Sequence, residues 1–102
     1  MVKEPRLVVV WNKQAVAYFR KAYQHIKEES FRNAEKVREG ITKIVDGLPD
    51  HPEKHTHDKY KRNNRGNYRA FEKYSFRIAY KITEKEIRIL RMRHVKQEPK
   101  EF

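Results

Sequence analysis

Apolar residues follow a helical period through the first half of the chain. After Asn12, which can cap a helix, they recur at steps of three and four residues, and a second such run begins after Ser30 and ends before Pro49. This spacing predicts two amphipathic helices joined by a short link, a helical hairpin whose stripes face the core. The first stripe comprises Ala15, Phe19, Ala22 and Ile26, and the second comprises Ala34, Val37, Ile41, Ile44, Val45 and Leu48.

β-Branched and aromatic residues mark the predicted strands. The run RLVVVW at 6–11 is apolar without alternation, which is typical of a strand buried on both faces and predicts a central position in the sheet. Three alternating segments follow in the last third of the chain, the first two joined by a tight turn near Tyr74. Those segments are 67–74, 75–82 and 86–94. The order β-α-α-β-β-β predicts a single α+β domain, 1–102, with the helical hairpin on one face of a small, mostly antiparallel sheet.

Alternation along the segment 75–82 separates two sets of side chains. One set is Phe76, Ile78, Tyr80 and Ile82, and the other is Arg77, Ala79 and Lys81. We expect the apolar set to pack under the helices and the basic set to face the open side of the sheet, together with Arg69 or its neighbours. The apolar alternation of the last strand breaks after Ile89, and a bulge or a strong twist near Ile89 and Leu90 would restore it, at a position that the sequence does not fix.

Composition adds a strong positive charge to this fold. The chain of 102 residues carries a net charge of +11, and the stretch 53–81 holds nine basic residues against three acidic ones. Such a charge indicates a protein that binds an acidic partner, such as nucleic acid, anionic lipid or an acidic protein. The less favoured interpretation is a soluble protein that is basic without such a partner. Without cysteine, disulfides and thiolate metal sites are excluded. No apolar run approaches the roughly 18 residues of a membrane span, so we expect a cytoplasmic protein with no membrane partner.

The segment NYRAFEKYSFRIAYKITEKEIRILRMRHVKQEP, 67–99, resembles the sheet core of the RelE/ParE superfamily of bacterial type II toxins. It is similar in its Tyr-basic strand, in an arginine followed by an aliphatic residue and a tyrosine, and in a last strand of the form I-x-I-L-R-x-x-H. The resemblance implies a small toxin that is neutralised by an antitoxin encoded beside it. RelE-like members cut messenger RNA in the ribosomal decoding site, whereas ParE-like members poison DNA gyrase and lack the nuclease residues.

Metal-independent RNA cleavage needs three kinds of group. A base deprotonates the 2′-hydroxyl, an acid protonates the leaving oxygen, and cations hold the charge that builds on the phosphate. The resemblance assigns Arg77 to the phosphate clamp and Arg69 to a supporting position, and His94 is the best titrating candidate because imidazole changes charge near neutral pH. The alternatives are that Arg77 is a solvated strand arginine paired with Glu72 or Glu86, and that His94 ends a strand without chemistry.

Two positions depart from the RelE-like pattern. Phe76 stands where the family usually has a tyrosine, and Phe102 can stack on a base but cannot transfer a proton as a tyrosine there would. Glu72 is the nearest candidate for the glutamate base that some relatives use. The general acid and the general base are therefore not assigned by the sequence.

Basic and aromatic residues also lie together in the predicted loop before the sheet, in DKYKRNNRGNYR at 58–69. This mixture fits backbone contacts and base stacking on RNA, although a solvated, mobile loop would have the same composition. His51, His55 and His57 near Asp58 do not form a recognisable ligand pattern, so neither a metal nor another cofactor is expected. The predicted RNA-binding residues are Lys59, Lys61, Arg62, Arg65, Arg91 and Arg93.

The sequence favours a ribosome-dependent messenger RNA endonuclease of the RelE type, which cleaves through the 2′-hydroxyl without a metal. The alternative is a non-catalytic, ParE-like toxin that binds and poisons DNA gyrase, and an inert relative kept only with its antitoxin is a third possibility. The expected partners are a cognate acidic antitoxin and either messenger RNA on the ribosome or gyrase. We expect an acidic antitoxin segment to cover the open face of the sheet and part of the helical hairpin.

Overall fold

The computed structural model describes residues 6–97 and 101–102. The elements are β1 (Val8–Trp11), α1 (Lys13–Glu29), α2 (Phe31–Gly47), β2 (Tyr68–Lys73), β3 (Phe76–Ile82) and β4 (Glu86–His94). The strands form one sheet in the order β1-β4-β3-β2, in which β1 is parallel to β4 and the other neighbours are antiparallel. Both helices pack on one face of this sheet, which confirms the predicted α+β fold. Neither helix has the length and apolar character of a membrane span.

Ser30 separates the two helices, because it caps the end of α1 and the start of α2. Its extended backbone (φ −157°, ψ 110°) cannot continue α1, and its Oγ accepts a hydrogen bond from the Asn33 backbone N–H at 3.1 Å in the first turn of α2. Asn12 occupies the N-cap position of α1 as predicted, but its side chain turns to β4, where its Oδ1 accepts from Arg88 Nη1 at 2.9 Å. The start of α1 is therefore tied to the sheet.

The core lies between the helical hairpin and one face of the sheet. On β3, Ile78 and Tyr80 are fully buried and Phe76 is nearly so, while Ile82 is partly buried. These residues pack with Ile41 of α2 and the facing side chains of the neighbouring strands, so the predicted register of β3 is confirmed. The core comprises Ala15, Ile41, Val45, Leu48, Phe71, Phe76, Ile78, Tyr80, Ile87, Ile89 and Met92.

The loop between α2 and β2 is anchored at the edge of this core. The Tyr80 hydroxyl donates to the Pro52 carbonyl at 2.8 Å, and the His55 ring lies 5.0 Å from the Phe71 ring, centre to centre. Burial raises the pKa of the Tyr80 phenol to about 12. Burial also lowers the pKa of His55 below its ordinary value of 6.5, and the Lys54 charge lowers it further.

The first strand lies at the edge of the sheet, so its predicted central position is wrong. Within the described residues β1 pairs with β4 alone. Val9 and Trp11 pack against the core under α1, whereas Val8 is 61% exposed. Four residues are too few for periodicity to separate an edge strand with one buried face from a central strand.

β4 carries a bulge at Leu90. Its register with β3 shifts by one residue between Ile89 and Arg91, which leaves Leu90 as the extra residue. As a result Met92 turns to the helix-covered face, where it is 4% exposed, and Arg91 and Arg93 turn to the other face. The irregularity predicted near Ile89 and Leu90 is confirmed as a bulge. It explains why Ile89 and Met92 both lie on the helix-covered face although they are three positions apart.

Candidate functional site

The open face is the side of the sheet opposite the helices. Strand alternation and the bulge in β4 place cationic side chains from β3 and β4 on it. The loop segment 58–66 and Phe102 lie across this face, because the rings of Tyr60 and Phe102 stack on its arginines. The strand residues of the open face that matter here are Tyr68, Glu72, Arg77, Lys81, Arg88, Arg91 and Arg93.

Backbone hydrogen bonds hold this covering segment in place. The Asp58 N–H donates to the Tyr68 carbonyl at 2.9 Å, which pairs the loop with the free edge of β2. The Phe102 N–H donates to the Tyr60 carbonyl at 2.9 Å, and the Arg62 N–H donates to the Phe102 carbonyl at 2.7 Å. The loop and Phe102 therefore form one short paired layer over the strand arginines.

Arg77 lies on the open face as predicted, but its charge is already neutralised there. One terminal nitrogen lies 3.0 Å from Asp58 Oδ1, the other lies 3.1 Å from Glu72 Oε2, and its Cζ lies 5.0 Å from the centre of the Tyr60 ring. The side chain is 12% exposed, and Asp58, which is 3% exposed, also accepts the Tyr60 N–H at 3.1 Å. The ion pair with Glu72 that the sequence left open is formed, whereas Glu86 pairs with Arg88 at 2.8 Å.

Arg69 lies on the helix side of the sheet, away from Arg77. It pairs with Tyr80 across the β2–β3 hairpin, and residues directly opposite each other in an antiparallel pair share a face. Its guanidinium donates to three loop carbonyls, from Nε to Gly66 at 2.9 Å and from Nη1 to Glu53 at 3.1 Å and His55 at 2.8 Å. These contacts give Arg69 the role of holding the loop, because its Nε and Nη1 donors already have partners.

His94 also lies on the helix side, at the far end of β4. It pairs with Phe76, and the two rings meet edge to face at 5.6 Å. Its Nδ1 accepts the Lys96 N–H at 3.1 Å, and its backbone N–H donates to Tyr18 Oη at 2.8 Å. Since the sheet lies between His94 and Arg77, the three residues that the sequence assigned to catalysis do not converge on one site.

Arg91 and Arg93 occupy the open face in a different state from Arg77. Arg91 Cζ lies 3.9 Å from the centre of the Phe102 ring, and Arg93 Cζ lies 4.9 Å from the centre of the Tyr60 ring. Neither forms an ion pair with any other described residue. Their positive charge is therefore stacked on aromatic rings without being neutralised by a carboxylate.

Two lysines extend this arrangement of cations and rings. Lys61 Nζ lies 4.7 Å from the centre of the Tyr68 ring, and Lys81 Nζ lies 5.3 Å from it. The predicted RNA-binding residues Lys61, Arg91 and Arg93 thus come together on the open face. The other three, Lys59, Arg62 and Arg65, are exposed at its rim, where Arg62 pairs with Glu101 at 3.2 Å.

The centre of the open face is closed. Asp58, Tyr60, Arg77 and Phe102 are among the residues that line a cavity of about 10 Å³. That is roughly the smallest space that holds one water molecule, so a phosphate group does not fit beneath the covering layer. A ligand of this face would therefore contact its outer surface.

Sequence reasoning missed the part that Asp58 and Tyr60 play. In the sequence Asp58 was considered only as a possible metal ligand beside three histidines, yet it is the buried partner of Arg77. The available signal was an acidic residue in a stretch of mostly basic ones. Within the described residues, no three His, Cys, Asp or Glu side chains are grouped so as to hold a metal ion.

The family model described as the ParE toxin of the type II toxin-antitoxin system parDE matches residues 9–99. No curated protein matches the sequence. Among solved structures, the chain is similar to one described as the chromosomal ParDE TA system from P. aeruginosa, with a TM-score of 0.67 and 21% identity over 87% of this chain and 96% of that one. It is also similar to one described as the YoeB dimer from Staphylococcus aureus, with a TM-score of 0.57 and 15% identity over 88% of this chain and 98% of that one.

At these identities the two structures establish a shared fold, and the family model carries the assignment. Its match begins within β1 and ends beyond β4, so it spans the helical hairpin and the whole meander. The resemblance to the RelE/ParE superfamily is thereby confirmed, and the family implies an antitoxin partner. The chain belongs to the ParE toxin family and is the toxin component of a type II toxin-antitoxin system.

Proposed function

We propose that this toxin is a non-catalytic poison of DNA gyrase, the alternative raised by the sequence, rather than a messenger RNA endonuclease. The observation that carries the proposal is the double ion pair of Arg77 with Asp58 and Glu72. A phosphate clamp would have to displace both carboxylates and leave the buried Asp58 without a partner, which is costly. The match to the ParE family model favours the same choice.

The positions of the other two catalytic candidates, His94 and Arg69, give further support. General acid–base catalysis requires groups within hydrogen-bond reach of the reacting atoms, directly or through one water. His94 and Arg69 lie on the helix side of the sheet, and Arg69 already donates to three carbonyls. A phosphate held near Arg77 would therefore have neither residue within reach.

The same open face suits the acidic antitoxin segment that we expect to cover it. Lys61, Lys81, Arg91 and Arg93 present positive charge there without a carboxylate partner in the described part of the chain. Charge-steered association slows as salt rises, so the association rate of toxin and antitoxin should fall between low and near-molar salt. A rate that is indifferent to salt would favour a chiefly apolar interface on the helical hairpin.

Expression of the toxin without its antitoxin tests the proposed function. In cells we expect growth arrest with DNA breakage and with messenger RNA that primer extension shows to be intact. In vitro we expect linear plasmid when the purified toxin is added to plasmid, gyrase and ATP. Cuts inside translated codons, with intact DNA and unaffected gyrase, would instead establish the nuclease.

A double variant makes the role of Arg77 testable. Arg77→Ala alone leaves Asp58 buried and unpaired, so a loss of toxicity could reflect unfolding. Asp58→Asn combined with Arg77→Gln removes both charges and keeps groups that can hydrogen-bond to each other. The gyrase poison should keep its toxicity in this variant, whereas a nuclease that uses Arg77 would lose on the order of 10²–10³ in rate.

A further inference from the structure

Arg91 and Arg93 hold two guanidinium groups that lie over aromatic rings and donate no hydrogen bond to another described residue. Phe102 and Tyr60 stack on them, at 3.9 Å and 4.9 Å from Cζ to the ring centre. The N–H donors of a guanidinium lie in its plane, so stacking immobilises the group without using those donors. Neither side chain donates a hydrogen bond to another described residue. Each arginine is therefore a preorganised donor fork with its charge intact.

The two forks belong to a longer row of positive charge. Arg91 and Arg93 are two positions apart on one face of β4, about 7 Å along the strand, which is comparable to the step between successive phosphates of a nucleic-acid strand. Lys61 and Lys81, both over the Tyr68 ring, continue the row across the neighbouring strands. Arg77 does not contribute, since two carboxylates neutralise it.

The shape of this surface favours a polyanion with regular charges over a folded protein partner. The cavity between the arginines and the covering rings measures about 10 Å³, so an apolar anchor residue does not fit there. The rings of Tyr60, Tyr68 and Phe102 on this surface already carry cations. What the surface offers is a set of half-buried cations without carboxylate partners in the described part of the chain, the chemistry that recognises phosphodiester oxygens.

We propose that the open face binds the phosphate backbone of double-stranded DNA, so that the toxin contacts the DNA directly when it acts on gyrase. Arg91 and Arg93 make the central phosphate contacts, and Lys61 and Lys81 flank them. The choice of DNA over RNA rests on the proposed function, whereas the phosphate contacts rest on the geometry alone. The binding is independent of sequence, because contacts to phosphate oxygens carry no information about the bases.

Fluorescence anisotropy of the purified, full-length toxin with a labelled DNA duplex tests this directly. The apparent affinity is measured over a series of salt concentrations, and the same is done with an RNA duplex of matching sequence. Each phosphate contact contributes about 0.9 to the slope of log affinity against log salt, so Arg91→Gln with Arg93→Gln should lower the magnitude of the slope by about 2. Arg91→Lys with Arg93→Lys keeps the charge and should keep most of the slope.

The matched control removes the same charge from a different surface. Arg32 and Lys43 lie exposed on α2, on the other side of the sheet, and neither forms an ion pair within the described residues. Arg32→Gln with Lys43→Gln should leave the slope within about half a unit of the wild-type value. An equal fall in both double variants would mean that net charge alone drives binding, and it would overturn the proposal. The absence of DNA binding at low salt, or tighter binding to RNA, would overturn it as well.

A gyrase experiment separates failure of this proposal from failure of the proposed function. With wild-type toxin, gyrase and plasmid, the amount of linear DNA reports poisoning, and co-purification with gyrase in the absence of DNA reports protein contact. The Arg91→Gln/Arg93→Gln toxin should still co-purify with gyrase but need a concentration at least several-fold higher to linearise the plasmid. If it linearises plasmid as well as the wild type, the DNA contact is refuted and the gyrase function stands. If the wild type linearises nothing, the gyrase function fails, and the anisotropy series still decides whether the face binds phosphate.

Discussion

Alternate residues of β3 lie in opposite environments on the two faces of the central sheet. On the helix-covered face, Ile78 and Tyr80 are fully buried among apolar side chains. On the open face, the alternate residues Arg77 and Lys81 lie beside the rings of Tyr60 and Tyr68, at 5.0 Å and 5.3 Å from the ring centres. A strand can therefore carry fixed positive charge through a small domain when a loop supplies rings and a carboxylate to cover it.

The difference also separates stability from binding. Burying a large aliphatic or aromatic side chain contributes about 1.5–3 kcal/mol, whereas an exposed cation–aromatic contact contributes about 0.5–1 kcal/mol. The folding free energy should therefore be concentrated on the helix-covered face, which leaves the open face able to exchange its contacts for those of a partner.

The largest expected effect is on the helix-covered face of β3. Ile78→Ala should lower the free energy of unfolding by about 2–5 kcal/mol, because it deletes fully buried methyl groups and leaves a cavity. Lys81→Ala, on the open face of the same strand, should cost less than about 1 kcal/mol. Urea unfolding of the two variants measures the difference, and similar losses in both would show that the faces are not energetically distinct.

The second effect is on the carboxylates of the open face. Asp58→Ala should lower the free energy of unfolding by about 1.5–3 kcal/mol, since it removes a charged acceptor of both Arg77 and the Tyr60 N–H. Glu72 is 54% exposed, so Glu72→Ala should cost no more than about 1 kcal/mol. If both variants lost the same free energy of unfolding in urea, the burial of Asp58 would not make its contacts more stabilising than those of Glu72.

The fold was predictable where the signal is local and repeated. The helical stripes span several turns, and the alternation of 76–82 spans seven residues, so both elements and the buried side of β3 follow from period alone. The break in the pattern after Ile89 indicated an irregularity nearby, a bulge or a strong twist, without fixing its position. The place of β1 in the sheet was not predictable, because four apolar residues carry no information on which strand lies beside them.

The site was less predictable because its contacts are distant in sequence. The side on which Arg69 lies follows from the two-residue turn at Tyr74 and Ser75, both with positive φ, which sets Arg69 opposite Tyr80. That register could have been counted from the turn. The pairing of Asp58 with Arg77 could not, since it joins an irregular loop to a strand and leaves no periodic trace in the sequence.

The third effect concerns the ring between two arginines. Tyr60→Leu should lower the free energy of unfolding by about 1 kcal/mol, because Arg77 and Arg93 each lose a stacked ring of the kind that contributes about 0.5–1 kcal/mol. Tyr60→Phe keeps the ring and should unfold like the wild type. If Leu and Phe at this position gave the same unfolding midpoint, apolar cover rather than cation–aromatic stacking would account for the layer.

The smallest effect is a pH dependence on the helix-covered side, at His55. Burial, and secondarily the Lys54 charge, lower the pKa of His55 from its ordinary 6.5, so the unfolded chain takes up a proton at a higher pH than the folded chain does. The stability that His55 contributes is therefore present above pH 6.5 and is lost as the pH falls below that value. Urea midpoints at about pH 7.5 and 5.5, on either side of the ordinary histidine pKa, should differ more in the wild type than in His55→Phe, which keeps the contacts with Phe71 and Tyr80. Exposed His57, which pairs with Arg69, provides the control: if His57→Phe abolished the pH difference and His55→Phe did not, the role given to His55 would be wrong.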